Sequence, residues 1–165
     1  MRIKLAGMVN DSIVDGPGLR LTVFTQGCPH HCPGCHNPQS HDFEGGSWAE
    51  VSSVLDAMRE NILLDGVTLS GGEPFAQPEA CAEIAKGAHA AGLNVWCYSG
   101  YTFETLLAGT PAWRELLECI DVLVDGPFLL ERRTLDKRFC GSSNQRILDV
   151  PASLRCGRAV PAEWD

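Results

Sequence analysis

Three cysteines in the run Gly27-Cys28-Pro29-His30-His31-Cys32-Pro33-Gly34-Cys35 stand at the spacing C-x3-C-x2-C. Thiolates hold zinc ions and iron–sulfur clusters, but a closed tetrahedral zinc site or a fully ligated cluster takes four protein donors. Three thiolates on a [4Fe–4S] cluster leave one iron able to bind a small molecule, so the spacing favours a reaction centre over a structural knot. The competing reading is a zinc knuckle completed by His30, His31, His36 or His41, because neutral imidazole is a good zinc ligand. A second group is Gly71-Gly72-Glu73-Pro74. Without β-carbons its backbone carbonyls can approach a ligand closely, and Glu73 offers an acceptor for an ammonium group.

The flanking residues predict the elements that position these groups. Apolar alternation at Leu19, Leu21 and Val23, followed by Phe24, reads as a strand running into the cysteine loop, with an earlier strand over Ile3 to Val9. Residues 27 to about 46 are too rich in Pro, His and Gly for regular structure. Ser47-Trp48-Ala49-Glu50 has the form of a capping box, opening a helix with Trp48, Val51, Val54, Leu55 and Met58 as its apolar stripe. Gly66 to Ser70 reads as a strand delivering the diglycine turn. A helix from Pro78 carries Cys81, Ile84, Ala85 and Ala88 on one face and closes at Gly92. Val95 to Tyr98 is a strand ending at Ser99, and a helix over about Thr102 to Leu117 should break at Gly109-Thr110-Pro111. Ile120 to Val124 is a strand ending at Asp125, and Arg146 to Val150 gives the last one.

Strands alternating with helices indicate an α/β fold with a parallel sheet and a site at the C-terminal ends of its strands. A complete eight-fold barrel takes about 250 residues. The 165 residues here are expected to form one domain, a partial, open-sided (β/α) barrel that can admit a bulky substrate. Residues 151–165 form a tail with no assigned structure. The net charge of −8 argues against a nucleic-acid partner. The opening Met1-Arg2-Ile3-Lys4 leads into no long apolar run, so neither an export signal nor a membrane span is expected. Eight cysteines in such a chain point to a reducing cytoplasm and to metal binding or catalysis before disulfides.

Taken together, the cysteine triplet and the Gly-Gly-Glu turn resemble the radical S-adenosylmethionine superfamily. Asp15-Gly16-Pro17-Gly18-Leu19-Arg20 looks like the D-G-P-G-x-R element of its glycyl-radical activating enzymes. Tyr98-Ser99-Gly100-Tyr101-Thr102, Val124-Asp125-Gly126-Pro127-Phe128 and Gly141-Ser142-Ser143-Asn144-Gln145-Arg146-Ile147 are similar to the branch that activates anaerobic ribonucleoside-triphosphate reductase. The resemblance runs from about residue 10 to 150 with its motifs in family order. It implies a cluster on Cys28, Cys32 and Cys35, and S-adenosylmethionine held by Gly34, Cys35, His36, Gly71, Gly72, Glu73, Ser99 and Asp125. It also implies contacts to a substrate protein from Asp15, Arg20, Asn144, Gln145 and Arg146. The superfamily usually has an aromatic residue before the third cysteine. Here Gly34 stands there, as in the reductase-activating branch, which leaves adenine packing to backbone and His36.

The implied reaction is reductive cleavage of S-adenosylmethionine to methionine and a 5′-deoxyadenosyl radical, which takes hydrogen from one glycine Cα of the reductase. A flavodoxin-like protein is the implied electron donor. Such chemistry needs no acid–base dyad. Two alternatives stay open: a radical enzyme acting on a small molecule, such as a 7-carboxy-7-deazaguanine synthase, and a non-catalytic zinc module. Cys81, Cys97, Trp48, Trp96 and Trp113 are read as core or near-core, while Cys119, Cys140 and Cys156 show no paired ligand spacing.

Overall fold

Period-two burial builds the sheet. In β2 (Arg20–Thr25), β4 (Gly66–Gly71), β5 (Asn94–Tyr98) and β6 (Val122–Asp125), Leu21, Val23, Val67, Leu69, Val95, Cys97 and Leu123 are fully buried. They pack with Val54 and Met58 of α1 (Val51–Glu60), Cys81, Ile84, Ala85 and Ala88 of α2 (Pro78–Ala90), and Leu116 and Leu117 of α4 (Pro111–Glu118). The alternate positions Arg20, Thr22, Thr68 and Trp96 fall on the opposite face. There Trp96 and Val124 pack with Phe139 and Cys140 in a second, smaller cluster. One face of the sheet is therefore a helix-covered core, while the other carries the polar Arg20, Thr22 and Thr68, which are buried as well.

The computed structural model describes residues 1–163. Its single sheet has seven strands in the order β3-β1-β2-β4-β5-β6-β7, with β1 (Arg2–Ser12), β3 (Ser47–Glu50) and β7 (Arg146–Asp149) completing the set. β2, β4, β5 and β6 run parallel. Helices lie between successive members, as parallel crossovers require. The sequence predicts a parallel sheet, but only its centre is parallel. β1 meets β2 antiparallel, β3 meets β1 antiparallel, and β7 meets β6 antiparallel. A short loop joins β1 to β2, and no α-helix intervenes between β6 and β7, so the chain doubles back at both places.

The capping box does not form. Residues 47–50 pair with β1 in the register Arg2↔Glu50 and Lys4↔Trp48, and the Glu50 side chain makes no capping bond. Backbone pairing to an open sheet edge satisfies these residues' polar groups better than one extra helical turn. Trp48 is consequently 56% exposed rather than core, lying against Arg2 and Lys4 at 4.8 and 5.6 Å. The predicted break does occur. α3 (Phe103–Leu107) and α4 are separate helices, capped by the Thr102 and Thr110 hydroxyls, with Pro111 in the first turn of α4.

The tail, to which the sequence assigns no structure, is partly ordered into a helix over its described residues. α5 (Val150–Cys156) is capped by Asp149, whose side chain accepts from Ala152 N at 2.9 Å, and ends at Gly157 in the left-handed region. The chain then returns to bridge Pro161 with Leu148 beside β7. Trp164 and Asp165 lie outside the described residues. Among the described residues, no helix is long and apolar enough to cross a membrane.

Candidate functional site

The loops that follow β2, β4, β5 and β6 converge on a cavity of about 710 Å³, open to solvent and lined in part by Cys28, Cys32, Cys35, Gly71, Gly72 and Ser99. That volume is within the usual range for small-molecule and cofactor sites. The cysteine loop is tied down by backbone bonds: Gly27 N donates to Ser40 O at 2.7 Å, and Cys28 N to His41 O at 3.1 Å. Asn37 N donates to Cys35 Sγ at 3.4 Å, a contact of the kind that tunes cluster sulfur. Burial pushes the Cys28 thiol up, partly offset by backbone hydrogen bonds at His30 and His31. Among the described residues, no three His, Cys, Asp or Glu side chains converge as a single metal ion would require. Three thiols lining one cavity are the donor type that an iron–sulfur cluster takes.

The diglycine turn is pressed against this loop. A Cβ on Gly72 would stand 2.4 Å from Gly27 O, and one on Gly71 (φ +102°) would stand 2.3 Å from Thr25 N. Gly72 N donates to Thr25 O, and Glu73 N to Gly27 O. Glycine is needed here because two backbones touch.

Glu73 departs from expectation. Its fully buried carboxylate accepts from Phe75 N (3.1 Å), Gly100 N (2.8 Å), the Ser99 hydroxyl (2.9 and 3.0 Å) and His30 Nε2 (2.6 Å). It is a hub binding the loops after β2, β4 and β5, with its acceptor capacity filled. His30, a candidate zinc ligand by sequence, is instead a partner of Glu73.

Asp125 is also turned to structure. It is buried, accepts from Phe103 N at 2.7 Å, and is gripped by Arg146. Arg146 also pairs with Glu104 at 2.7 Å. These hydrogen bonds hold its guanidinium proton more tightly than usual. Arg20 is fully buried, donating to Thr68 Oγ1, Pro17 O, Val67 O and Asn94 Oδ1, with Trp96 beside it at 5.7 Å. Burial pulls its pKa down to about 10, which still leaves it charged at neutral pH. Arg20 is thus enclosed by the sheet, while Arg146 is committed to Asp125 and Glu104 with part of its side chain exposed.

Other expected residues divide between cavity and scaffold. Asp15 lines the cavity while accepting from the Ser12 and Thr22 hydroxyls. His36 lines it with its ring 5.2 Å from Phe128. Gly34 (φ +73°) sits instead against Leu130, whose Cδ1 would lie 2.8 Å from an added Cβ. Gln145 lines the cavity, and its amide bonds Gly141 N and Gly126 O. Asn144 donates to Pro127 O at 2.9 Å, while its Oδ1 is buried without a partner.

The cavity wall also holds residues to which the sequence assigns no site role, Tyr98 and Lys137 among them. Tyr98, whose phenol is pushed up by burial, follows Trp96 on the polar face of β5. Strand alternation could have revealed it. Lys137 lines the cavity and donates to Gln145 O, from a loop segment with no periodic signal.

The family described as "4Fe-4S single cluster domain" matches residues 14–148. The chain is 34% identical to the anaerobic ribonucleoside-triphosphate reductase-activating protein of Escherichia coli K12, covering 82% of this chain and 91% of that protein. It is 35% identical to the namesake of Pasteurella multocida, over 82% and 90%. The bacteriophage T4 protein of the same name is 31% identical, over 81% and 86%. Among solved structures, QueE from Escherichia coli matches 62% of this chain and 54% of its own at TM-score 0.46 and 18% identity, too slight a likeness to bear on activity. The chain belongs to the family of anaerobic ribonucleoside-triphosphate reductase-activating proteins and carries its 4Fe-4S domain.

Proposed function

We propose that this chain is an iron–sulfur, S-adenosylmethionine-dependent activase that installs a glycyl radical on anaerobic ribonucleoside-triphosphate reductase. The observation that carries the reading is a shared cavity wall. Three thiols and the diglycine backbone face one open space, in a chain 34% identical to a named activating protein.

Cys28, Cys32 and Cys35 would hold three irons of the cluster, leaving the fourth for the amino and carboxylate groups of S-adenosylmethionine. When bound, the pair supplies reductive cleavage of the sulfonium and removal of a hydrogen atom from a glycine Cα of the reductase. The chain's own residues position and shield. Gly71 and Gly72 bring backbone against the ligand, Ser99 and Glu73 order the turn, and His36 beside Phe128 frames the adenine side. Tyr98 and Phe128 add aromatic surface to the cavity wall.

The cavity's open side, that of a partial barrel, would receive the reductase loop carrying the glycine. Asp15 and Gln145 are the predicted contact residues best placed to meet it. A flavodoxin-like protein would supply the electron, in the reducing cytoplasm that eight free cysteines suit. Residues 1–165 act as one domain.

The deciding experiment mixes the anaerobically reduced protein, S-adenosylmethionine and the reductase, then seeks a glycyl radical by electron paramagnetic resonance. A glycyl signal supports the reading. Cleavage without it redirects the reading toward another substrate.

A further inference from the structure

Glu73 presents a puzzle for any ligand that arrives with an ammonium group. Oε1 already accepts from Gly100 N, Ser99 Oγ and His30 Nε2, and Oε2 from Phe75 N and Ser99 Oγ. A carboxylate offers about four lone-pair positions, so a further donor must displace one already there. Two of the present donors are backbone groups, fixed by the turns that carry them. Ser99 is buried and also accepts from Tyr101 N. His30 is different. Its side chain is 16% exposed, it lines the cavity, and it stands on the irregular cysteine loop. It is the one side-chain donor on Glu73 that can leave by a rotamer change without unravelling a turn.

We propose that His30 is an internal stand-in for the ligand's ammonium group: it occupies the cavity-side position on Glu73 and is displaced when the ligand's ammonium arrives. The proposal rests on the reading that the cavity takes S-adenosylmethionine. It adds an exchange step, in which the cysteine loop is clasped to the turns after β4 and β5 before ligand binding and released from Glu73 afterwards. The neighbours fit such a movable ring. Tyr101 meets His30 edge-on at 4.4 Å between centroids, a contact that tolerates sliding. Gly100 leaves space for the ring, since a Cβ there would stand 2.5 Å from His30 Cδ2.

The exchange lowers apparent affinity, because only molecules with Glu73 vacated accept the ammonium. Removing the competitor should therefore tighten binding. The test measures equilibrium binding on anaerobically reconstituted protein, with iron and sulfide content matched between variants. The ligands are S-adenosylmethionine and 5′-methylthioadenosine, which keeps the nucleoside but lacks the amino acid. His30→Ala is expected to lower the Kd for S-adenosylmethionine about threefold to thirtyfold, with 5′-methylthioadenosine unchanged. His30→Gln, which keeps a donor, should stay within about twofold of the parent.

If His30→Ala fails to load iron, Gly100→Ala serves in its place. Its methyl group would push the ring from Glu73 without altering the cysteine loop, and the same selective tightening is expected. Unchanged or weaker S-adenosylmethionine binding in the variant that loads iron overturns the exchange and leaves His30 a mere fastening of the loop. Equal tightening of both ligands overturns it too. Failure of the parent protein to bind S-adenosylmethionine at all would instead sink the functional reading beneath it.

Discussion

Arg146 closes on Asp125 through two nitrogens: Nε donates to Oδ1 at 3.0 Å and Nη2 to Oδ2 at 2.5 Å. Asp125 simultaneously accepts from Phe103 N, the first residue of α3. The pair thus pins the end of β6, the start of β7 and the start of α3 at one point. Replacing Arg146 with Ala leaves a buried carboxylate with a single donor. Such losses cost about 3–5 kcal/mol when fully buried. Because Arg146 is 39% exposed and water can replace it, about 2 kcal/mol is expected. Urea denaturation measures this as a lower midpoint at unchanged slope.

Glu104 gives the same cluster a pH signature. The hydrogen bond from Arg146 is the main reason its pKa lies below the ordinary 4.5. A carboxyl group depressed by folding adds stability above its unfolded pKa and loses it as pH falls through the folded value. Thermal melts from about pH 6 to about pH 3 should therefore show Glu104→Gln less stable than the parent at the upper end. The two curves should converge at the acid end. Parallel curves would mean that the pair contributes nothing.

The cysteines should separate cleanly. Alanine at Cys28, Cys32 or Cys35 is expected to reduce iron and acid-labile sulfide to background after reconstitution, and to abolish S-adenosylmethionine cleavage. Cys156, exposed at the end of α5, should tolerate alanine with iron content and cleavage intact. Full cleavage by any one of the first three variants would refute the cluster assignment.

Two glycines provide a contrast. Gly72→Ala drives a methyl group onto Gly27 O and Ser40 O, both backbone atoms. It should destabilise by about 1–3 kcal/mol through overpacking and weaken iron retention by prising the turn off the cysteine loop. Gly92 has φ +79° but nothing within 4 Å of an added Cβ. Gly92→Ala should cost about 1 kcal/mol of left-handed strain and leave iron retention alone. Thermal melts paired with iron assays check both.

Arg20 was expected to touch a partner, yet it crosses the polar face of the sheet entirely buried. Arg20→Met removes four hydrogen bonds to Pro17, Val67, Thr68 and Asn94 and should destabilise by about 3 kcal/mol. Folded protein, at a temperature where the variant persists, should bind the reductase as the parent does. A selective loss of that binding at unchanged stability would restore a contact role.

The primary structure alone determined the local chemistry. C-x3-C-x2-C dictates thiolate donors on one short loop, and Gly71-Gly72 dictates a turn without side chains. Leu21, Val23, Val67, Leu69, Val95 and Cys97 alternate as a half-buried strand must. These features depend on covalent spacing and short-range sterics, so they are readable in a line of residues. The tertiary structure decided which polar groups face the cavity and which are consumed. Glu73, Asp125 and Arg20 look alike in sequence to free polar residues, but each is buried and already engaged, by partners as far as 74 positions away. The same holds for residues 47–50. Their helix-start pattern is local, but the open edge of β1 captured them as a strand. Buried polar groups must find partners wherever the fold brings them, and only the folded chain fixes that pairing.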